Sequence, residues 1–365
     1  MLRGTREVER ALKTHHSFAV LFEVWRGGKR LDMNLKVTGG GVSKTLEPGV
    51  RSSLTLNLLG DKEQHAALAP DGVEIRVTWR TYLIDTTYFD FPLGRFDIKS
   101  RSVTYNEQTG QISMSGKDYY SRLIRSRFEK PRTPKGPLLE VVEGFVREVI
   151  PDVVFEHRSS TTTTVRRRVF KRDRGDDIAN LLASVGMHGY FDGYGRFVTE
   201  DVPSLTGPSD LFVREGRTLV SASTEETQEG VYNVVVVNPT ADWSWRPQTL
   251  EDTSPLSPTR VGGDFGRVPR FYASSFIRNE AQARRAGAAL LKRTTGMHTT
   301  VSASILLHPG LEPGDVLTIA LPEQSGVKRL VQRHIVDTVD FPFAGGAQSI
   351  TTRSSRPTES GDEEQ

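Results

Sequence analysis

The sequence predicts a mainly β protein in which two barrel or sandwich domains flank a small α+β insert. Two observations carry that expectation. Apolar residues alternate with a period of two in both outer parts of the chain, and a helix-like spacing replaces the pattern in between. Gly and Pro turns at close intervals favour short antiparallel strands over a parallel α/β arrangement.

The elements follow in order. Phe18, Val20, Phe22 and Val24 alternate, a turn falls at Arg26, Gly27, Gly28 and Lys29, and Leu31, Met33, Leu35 and Val37 alternate again, which predicts a β-hairpin. Leu54, Leu56 and Leu58 continue the pattern, as do Val73, Ile75, Val77 and Trp79 after the turn at Pro70, Asp71 and Gly72. Phe96 and Ile98, then Val103 and Tyr105 facing Ile112 and Met114, complete roughly seven strands and a first β-domain over residues 1–116. Residues 118–128 change to helical spacing, with Asp118 as N-cap. A second helix starts at Pro137 and spans 138–150, and a third runs from Asp176 or Asp177 to Gly186. A hairpin at 190–198 closes the α+β domain, 117–205.

The β-pattern returns from Leu211. The run 231–237 is apolar enough to be buried on both faces, and an irregular insertion with five prolines follows at 239–270. A helix at 279–295 and strands at 299–307, 316–321, 328–341 and 348–352 complete a second β-domain, 206–352, before an acidic tail at 353–365. No exact repeat is present, but the two β-domains are compatible with a diverged duplication.

Composition narrows the function classes. The 365-residue chain carries 48 cationic and 45 acidic residues, so its net charge of +3 gives too weak an overall field for a general nucleic-acid binder. No segment approaches the ~18 apolar residues of a membrane span, and residues 1–16 have no apolar signal-peptide core. With no cysteine, disulfides, thiolate metal sites and cysteine nucleophiles are all excluded, as expected of a protein made in a reducing cytoplasm.

Motifs for chemistry are weak. Residues 38–45 place Lys44 and Thr45 after three glycines, as a phosphate cradle does. However, Thr38 and Ser43 stand where that motif has glycine, and a strand pattern follows instead of a helix, so the segment reads as a flexible inter-strand loop. The eight histidines are scattered, and no serine sits in a nucleophile elbow. The adjacent carboxylates Glu225 and Glu226, Asp176 and Asp177, and Glu251 and Asp252 fall at element edges. No catalytic, metal or cofactor site is expected. The one charged patch is Arg166, Arg167, Arg168, Lys171, Arg172 and Arg174, a candidate interface or polyanion site. Its sole aromatic is Phe170, and this favours an outward-facing strand over a base-stacking platform.

Several phrases together resemble a known family. They are Pro92, Leu93, Gly94, Arg95, Phe96, Asp97 and Ile98 leading a strand; 112–117 running into Asp118, Tyr119, Tyr120, Ser121, Arg122 and Leu123; the helix-to-hairpin stretch 176–198 with Phe191, Asp192 and Gly195; Tyr232, Asn233, Val234, Val235 and Val236; and the alanine-rich helix 281–291 followed by Leu311, Glu312, Pro313, Gly314, Asp315 and Val316. In this order they resemble tail-tip or baseplate hub proteins of phages and contractile injection systems, especially minor tail proteins of actinobacterial siphophages. The likeness covers most of 18–352 and omits 239–270 and the acidic tail.

The resemblance implies two tube-type β-domains per chain and a homotrimer forming a pseudo-hexameric ring in the virion tail tip. Its partners would be the hexameric tail-tube ring, the tape-measure protein and central tip or receptor-binding proteins, with DNA in transit only. It also implies a structural protein that is not an enzyme. The alternatives are a tail-associated cell-wall hydrolase and a polyanion-binding module built on the arginine cluster.

Overall fold

The alternation read at 54–58 and 112–114 becomes two neighbouring strands of one large sheet. This computed structural model describes residues 1, 4–13, 16–60, 66–83, 87–105, 110–166, 168–205, 209–240, 244–255, 257–295, 299–321 and 330–354. The expected acidic tail and part of the 328–341 strand lie outside them, apart from the first residues of the tail, 353 and 354.

The first part of the chain supplies helix α1 (Arg6–Ala11) and strands β1 (Phe18–Arg26), β2 (Lys29–Leu31), β3 (Lys36–Thr45), β4 (Ser52–Gly60), β5 (Val73–Tyr82), β6 (Tyr88–Tyr105) and β7 (Gly110–Lys117). The middle holds α2 (Tyr120–Arg125), β8 (Gly136–Pro137), α3 (Leu138–Arg147), β9 (Phe155–His157), β10 (Thr164–Val165), α4 (Arg174–Ala183), β11 (Met187–Phe191) and β12 (Phe197–Asp201). The last part adds β13 (Leu211–Arg214), β14 (Leu219–Glu226), β15 (Val234–Asn238), β16 (Gln248–Glu251), β17 (Pro269–Ala273), α5 (Glu280–Thr294), β18 (Thr299–Leu306), β19 (Val316–Leu321), β20 (Leu330–Pro342) and β21 (Ala347–Ser354). The protein is mainly β with a mixed insert.

In the first lobe the sheet order is β3-β4-β7-β6-β5-β1-β2. β4 and β7 alternate strictly, burying Leu54, Leu56, Leu58, Ile112 and Met114 and leaving the residues between them exposed, or half-buried at Asn57. The expected hairpin is only partly formed. β1 and β2 share three pairs, whereas β1 pairs with β5 along all nine residues, and Val37 belongs to β3, paired with β4. Sequence locality favours the hairpin, but the longer register with β5 buries more apolar surface.

The glycine-rich stretch is also corrected, since 38–45 is not a loop but part of β3. Gly40 has φ +121°, and a Cβ there would lie 2.2 Å from the Thr55 carbonyl oxygen; one at Gly41 would lie 2.7 Å from that of Phe341. The glycines let two neighbouring strands close on β3 from either side. Gly40→Ala is therefore expected to cost about 3 kcal/mol or more in chemical denaturation, and a loss under ~1 kcal/mol would contradict this packing.

The second lobe repeats the first. Its order β14-β18-β21-β20-β19 matches β3-β4-β7-β6-β5 strand for strand in chain order. The long penultimate strand carries a bulge at the same place in each, between Ile98 and Ser100 against β7 and between Val336 and Thr338 against β21. The lobes join through a seam in which β20 pairs antiparallel with β3, Thr338 opposite Thr45 through Pro342 opposite Gly41. One sheet and one apolar cluster thus run through both, from Leu56 and Trp79 to Ile319 and Ile350.

His334 lies in this second lobe, fully buried. Thr352 Oγ1 donates to the Val301 carbonyl at 3.2 Å, so His334 Nδ1–H donates to Thr352 Oγ1 at 3.0 Å, and Nε2 has no partner among the described residues. Burial pushes the ring down to about 4. Folding then favours the neutral ring, so its contribution is full above about pH 6.5 and is lost as pH falls toward 4, by up to ~1.4 kcal/mol per pH unit. His334→Leu is expected to remove that acid-side slope relative to wild type in denaturation measured from pH 7 to 4; parallel slopes would contradict it.

Two smaller units hang on this frame. α2, α3 and α4 pack with the parallel and antiparallel strands β9-β12-β11 around Phe145, Leu182 and Phe197. α4 begins at Arg174, two residues earlier than expected. The apolar run 231–237 does not join the large sheet. Its strand β15 is the centre of a separate sheet, β16-β15-β17, covered by α5 through Ala283 and Ala286. The stretch 239–270, expected to be irregular, contributes β16 and the start of β17. This unit fills the β14 to β18 connection, whose counterpart in the first lobe is the short 46–51 turn.

Candidate functional site

Because strand side chains alternate, the sheet that buries apolar residues on one face presents the intervening ones on the other. Here that other face is lined with hydroxyls. One row of directly paired residues crosses both lobes: Ser221, Ser304, Ser349, Asp340, Ser43, Ser53 and Lys117. A second runs Ser223, Ser302, Thr351, Thr338 and Thr45 in the second lobe and across the seam, and a third runs Gly41, Thr55, Ser115 and Ser100 in the first. Ser100 and Ser115 hydrogen-bond at 2.6 Å, and Ser113 Oγ donates to Asn57 Oδ1 at 2.8 Å. Eight strands therefore share a polar face with few charges.

Behind it lies a joint where both lobes and the middle unit meet. Asp118 does not cap α2 from the N-cap position, which is Tyr119. Its Oδ1 accepts the Tyr120 N–H at 3.0 Å, while Oδ2 accepts the N–H groups of Arg51 and Ser52 at 2.9 and 2.7 Å, tying the start of β4 to the helix entry. Burial pushes this carboxyl up to about 7 against those three donors. Arg51, itself buried, lies 3.6 Å over the Tyr190 ring, donates to the Pro313 carbonyl and sits 3.9 Å from Glu312. Lys44, fully buried, donates to Glu312 at 2.6 Å.

A cavity of about 480 Å³ opens beside these groups, lined by Arg51, Arg158, Tyr190, Arg196, Glu200 and Glu312 among others. Burial works to raise Glu200, but the His188 hydrogen bond at 3.1 Å and the charges of His188, Arg51 and Arg158 overcome it and hold the carboxylate at about 2. Tyr190 donates to Glu200 at 3.0 Å. Gly193 presses on Pro92, where a Cβ would lie 2.0 Å from the carbonyl oxygen, so two of the phrases singled out in the sequence meet here. Each carboxylate has cationic or N–H partners, which makes the joint a clamp between units. Among the described residues no cluster of His, Asp or Glu could hold a metal ion.

The sequence cluster of cations does not stay together, and it is not a strand with outward arginines. Arg174 is buried, donating to the carbonyls of Ser126 and Phe145 and to Glu148, at 2.8 Å each. Arg168 stacks 3.5 Å over Phe276. Lys171 and Arg172 are exposed, and Arg167 lies outside the described residues. Arg166 instead meets Arg278 and Arg285, distant in sequence, along a groove of about 340 Å³. Sequence reasoning gave Arg51 and Glu200 no role, set Lys44 in a loop and read Glu312 only as part of a turn phrase. Lys44 and Arg51 find Glu312 and Pro313 at the far end of the chain, while Glu200 meets His188 and Tyr190 across one hairpin whose polar side chains carried no motif.

Among the described residues no helix is long and apolar enough to cross a membrane. No family model matches the chain, and no curated protein matches it. Solved structures do. A tail protein from Neisseria meningitidis MC58 aligns over 92% of this chain and 97% of its own, with TM-score 0.62 and 13% identity. The 43 kDa tail protein of prophage MuSo2 from Shewanella oneidensis aligns over 91% and 97%, with TM-score 0.62 and 14% identity. An E. coli component of the type VI secretion system, described as similar to the T4 bacteriophage tail proteins gp27 and gp5, aligns over 94% and 78%, with TM-score 0.50 and 14% identity. The chain has the fold of these tail proteins and of the type VI secretion system component.

Proposed function

We propose that this protein is the structural hub of a phage-type tail tip. Three copies, each with two equivalent lobes, place six lobes around a channel, so that a trimer meets a hexameric tail-tube ring on one side and central tip proteins on the other. The carrying observation is the duplicated lobe joined by a seam that keeps one hydroxyl-lined face continuous over eight strands. Turned inward, such a face offers hydrogen bonds but few charges, so it neither grips nor repels a passing tape-measure protein or DNA strongly. The role is non-catalytic and belongs to the virion. The similarity to tail proteins supports this reading. Light scattering on the purified chain is expected to give three times the 40.6 kDa chain mass. A mass that stays at one chain at the highest attainable concentration would count against it.

A second reading attaches to the Arg166 groove. Burial, then the charges of Arg168 and Arg166, depress Arg278, which supports a binding site for a polyanion. Double reversal, Arg166→Glu with Arg278→Glu, is expected to abolish salt-dependent retention on DNA; unchanged retention would remove this reading.

A further inference from the structure

The internal repeat leaves one of its two equivalent seams unformed within a single chain. Superposing the lobes by their pairing registers makes Gly116 equivalent to Thr352, Leu54 to Val301 and Val42 to Thr224. The matching bulges make Ser100 equivalent to Thr338. Inside the chain the second lobe's long strand pairs with the first lobe's leading strand. The equivalent pair, residues 100–104 of β6 and residues 223–227 at the end of β14, is not formed within one chain. Among the described residues β6 pairs with β5 only up to Asp97, leaving that edge open beyond it, and β14 from Ser221 to Glu226 pairs with β18 alone, Leu219 at its start also bridging Glu215.

Burial points the same way. In β3, Val42 and Lys44 are each 1% exposed, whereas β14 is exposed on both faces from Val220 to Glu226. A strand that is open along one edge and on both faces is a pairing hazard unless something covers it.

We propose that residues 100–104 of one copy pair antiparallel with residues 223–227 of the next, reproducing the internal seam. The register places Ser100 opposite Thr227, Arg101 opposite Glu226, Ser102 opposite Glu225, Val103 opposite Thr224 and Thr104 opposite Ser223. Arg101 and Glu226 fall on the side that the internal seam buries, where Lys44 already pairs with Glu312 at 2.6 Å. The charges match in this register. The two edges are different surfaces, so the contact is head-to-tail, and it closes into a ring when the rotation per copy divides a full turn, as the three-copy reading requires. This pairing rests on the ring reading above and adds to it the strands, direction and register.

The chain has no cysteine, so a designed pair reports cleanly. Opposed Cα atoms in antiparallel strands lie ~4.5–5.5 Å apart, within disulfide reach. Under mild oxidation, Ser102→Cys with Glu225→Cys in one chain is expected to give a covalent closed oligomer on a non-reducing gel. The pair slipped by two residues, Ser102→Cys with Ser223→Cys, is expected to give little. Arg101→Glu or Glu226→Arg alone is expected to weaken assembly about tenfold or more, and the two together to restore most of it. Equal cross-linking of both cysteine pairs, or none from either, overturns the register. Light scattering on the same samples separates the cases: a trimer without the cross-link leaves the ring reading standing, and a monomer brings both down.

Discussion

Replacing Asp118 with alanine is expected to lower the unfolding free energy by about 4 kcal/mol, because three buried backbone N–H groups lose their acceptor at once and each such loss costs ~1–3 kcal/mol. The effect reaches beyond one residue. The carboxyl fastens the start of β4, beside the internal seam, to the entry of α2, so its loss loosens the first lobe from the middle unit. Chemical denaturation followed by fluorescence measures the change, and a loss below ~1 kcal/mol would show that the clamp carries no weight. Asp118 and His334 titrate across the same range with opposite sign. A carboxyl raised to about 7 favours folding increasingly as pH falls through 7, whereas the depressed imidazole opposes it, so the His334 effect must be read from the variant difference.

Replacing Arg51 with alanine is expected to cost about 3 kcal/mol. The change removes a ring stack on Tyr190, leaves the Pro313 carbonyl without its donor and leaves Glu312 with Lys44 alone. Lysine at 51 should recover little, since an ammonium cannot both stack on the ring and reach the carbonyl. A thermal midpoint for Arg51→Lys within error of wild type would contradict the role given to the guanidinium.

Much of the β framework was legible because alternation is local. Leu54, Leu56 and Leu58 announce a half-buried strand wherever they pair. What could not be read was which strand each would choose. β1 prefers β5 to its sequence neighbour, and β15 leaves the main sheet for a small one of its own, since pairing depends on surface supplied by distant segments. The glycines of β3 misled for a related reason. Their spacing suggests a loop until Thr55 and Phe341 are seen closing on the backbone from opposite sides. The arginine cluster was visible only as composition. Folding sends Arg174 into the middle unit and sets Arg166 beside Arg278, a pairing no window of sequence contains. The hydroxyl face was present in the sequence as the residues skipped between apolar ones, but its continuity depends on the seam.

Electron cryomicroscopy of the assembled protein, at a resolution that separates strands, is expected to show three copies forming six lobes, with Ser43, Ser53 and Ser302 facing the central channel. Lobes arranged in another number, or that face turned outward to solvent, would contradict that arrangement.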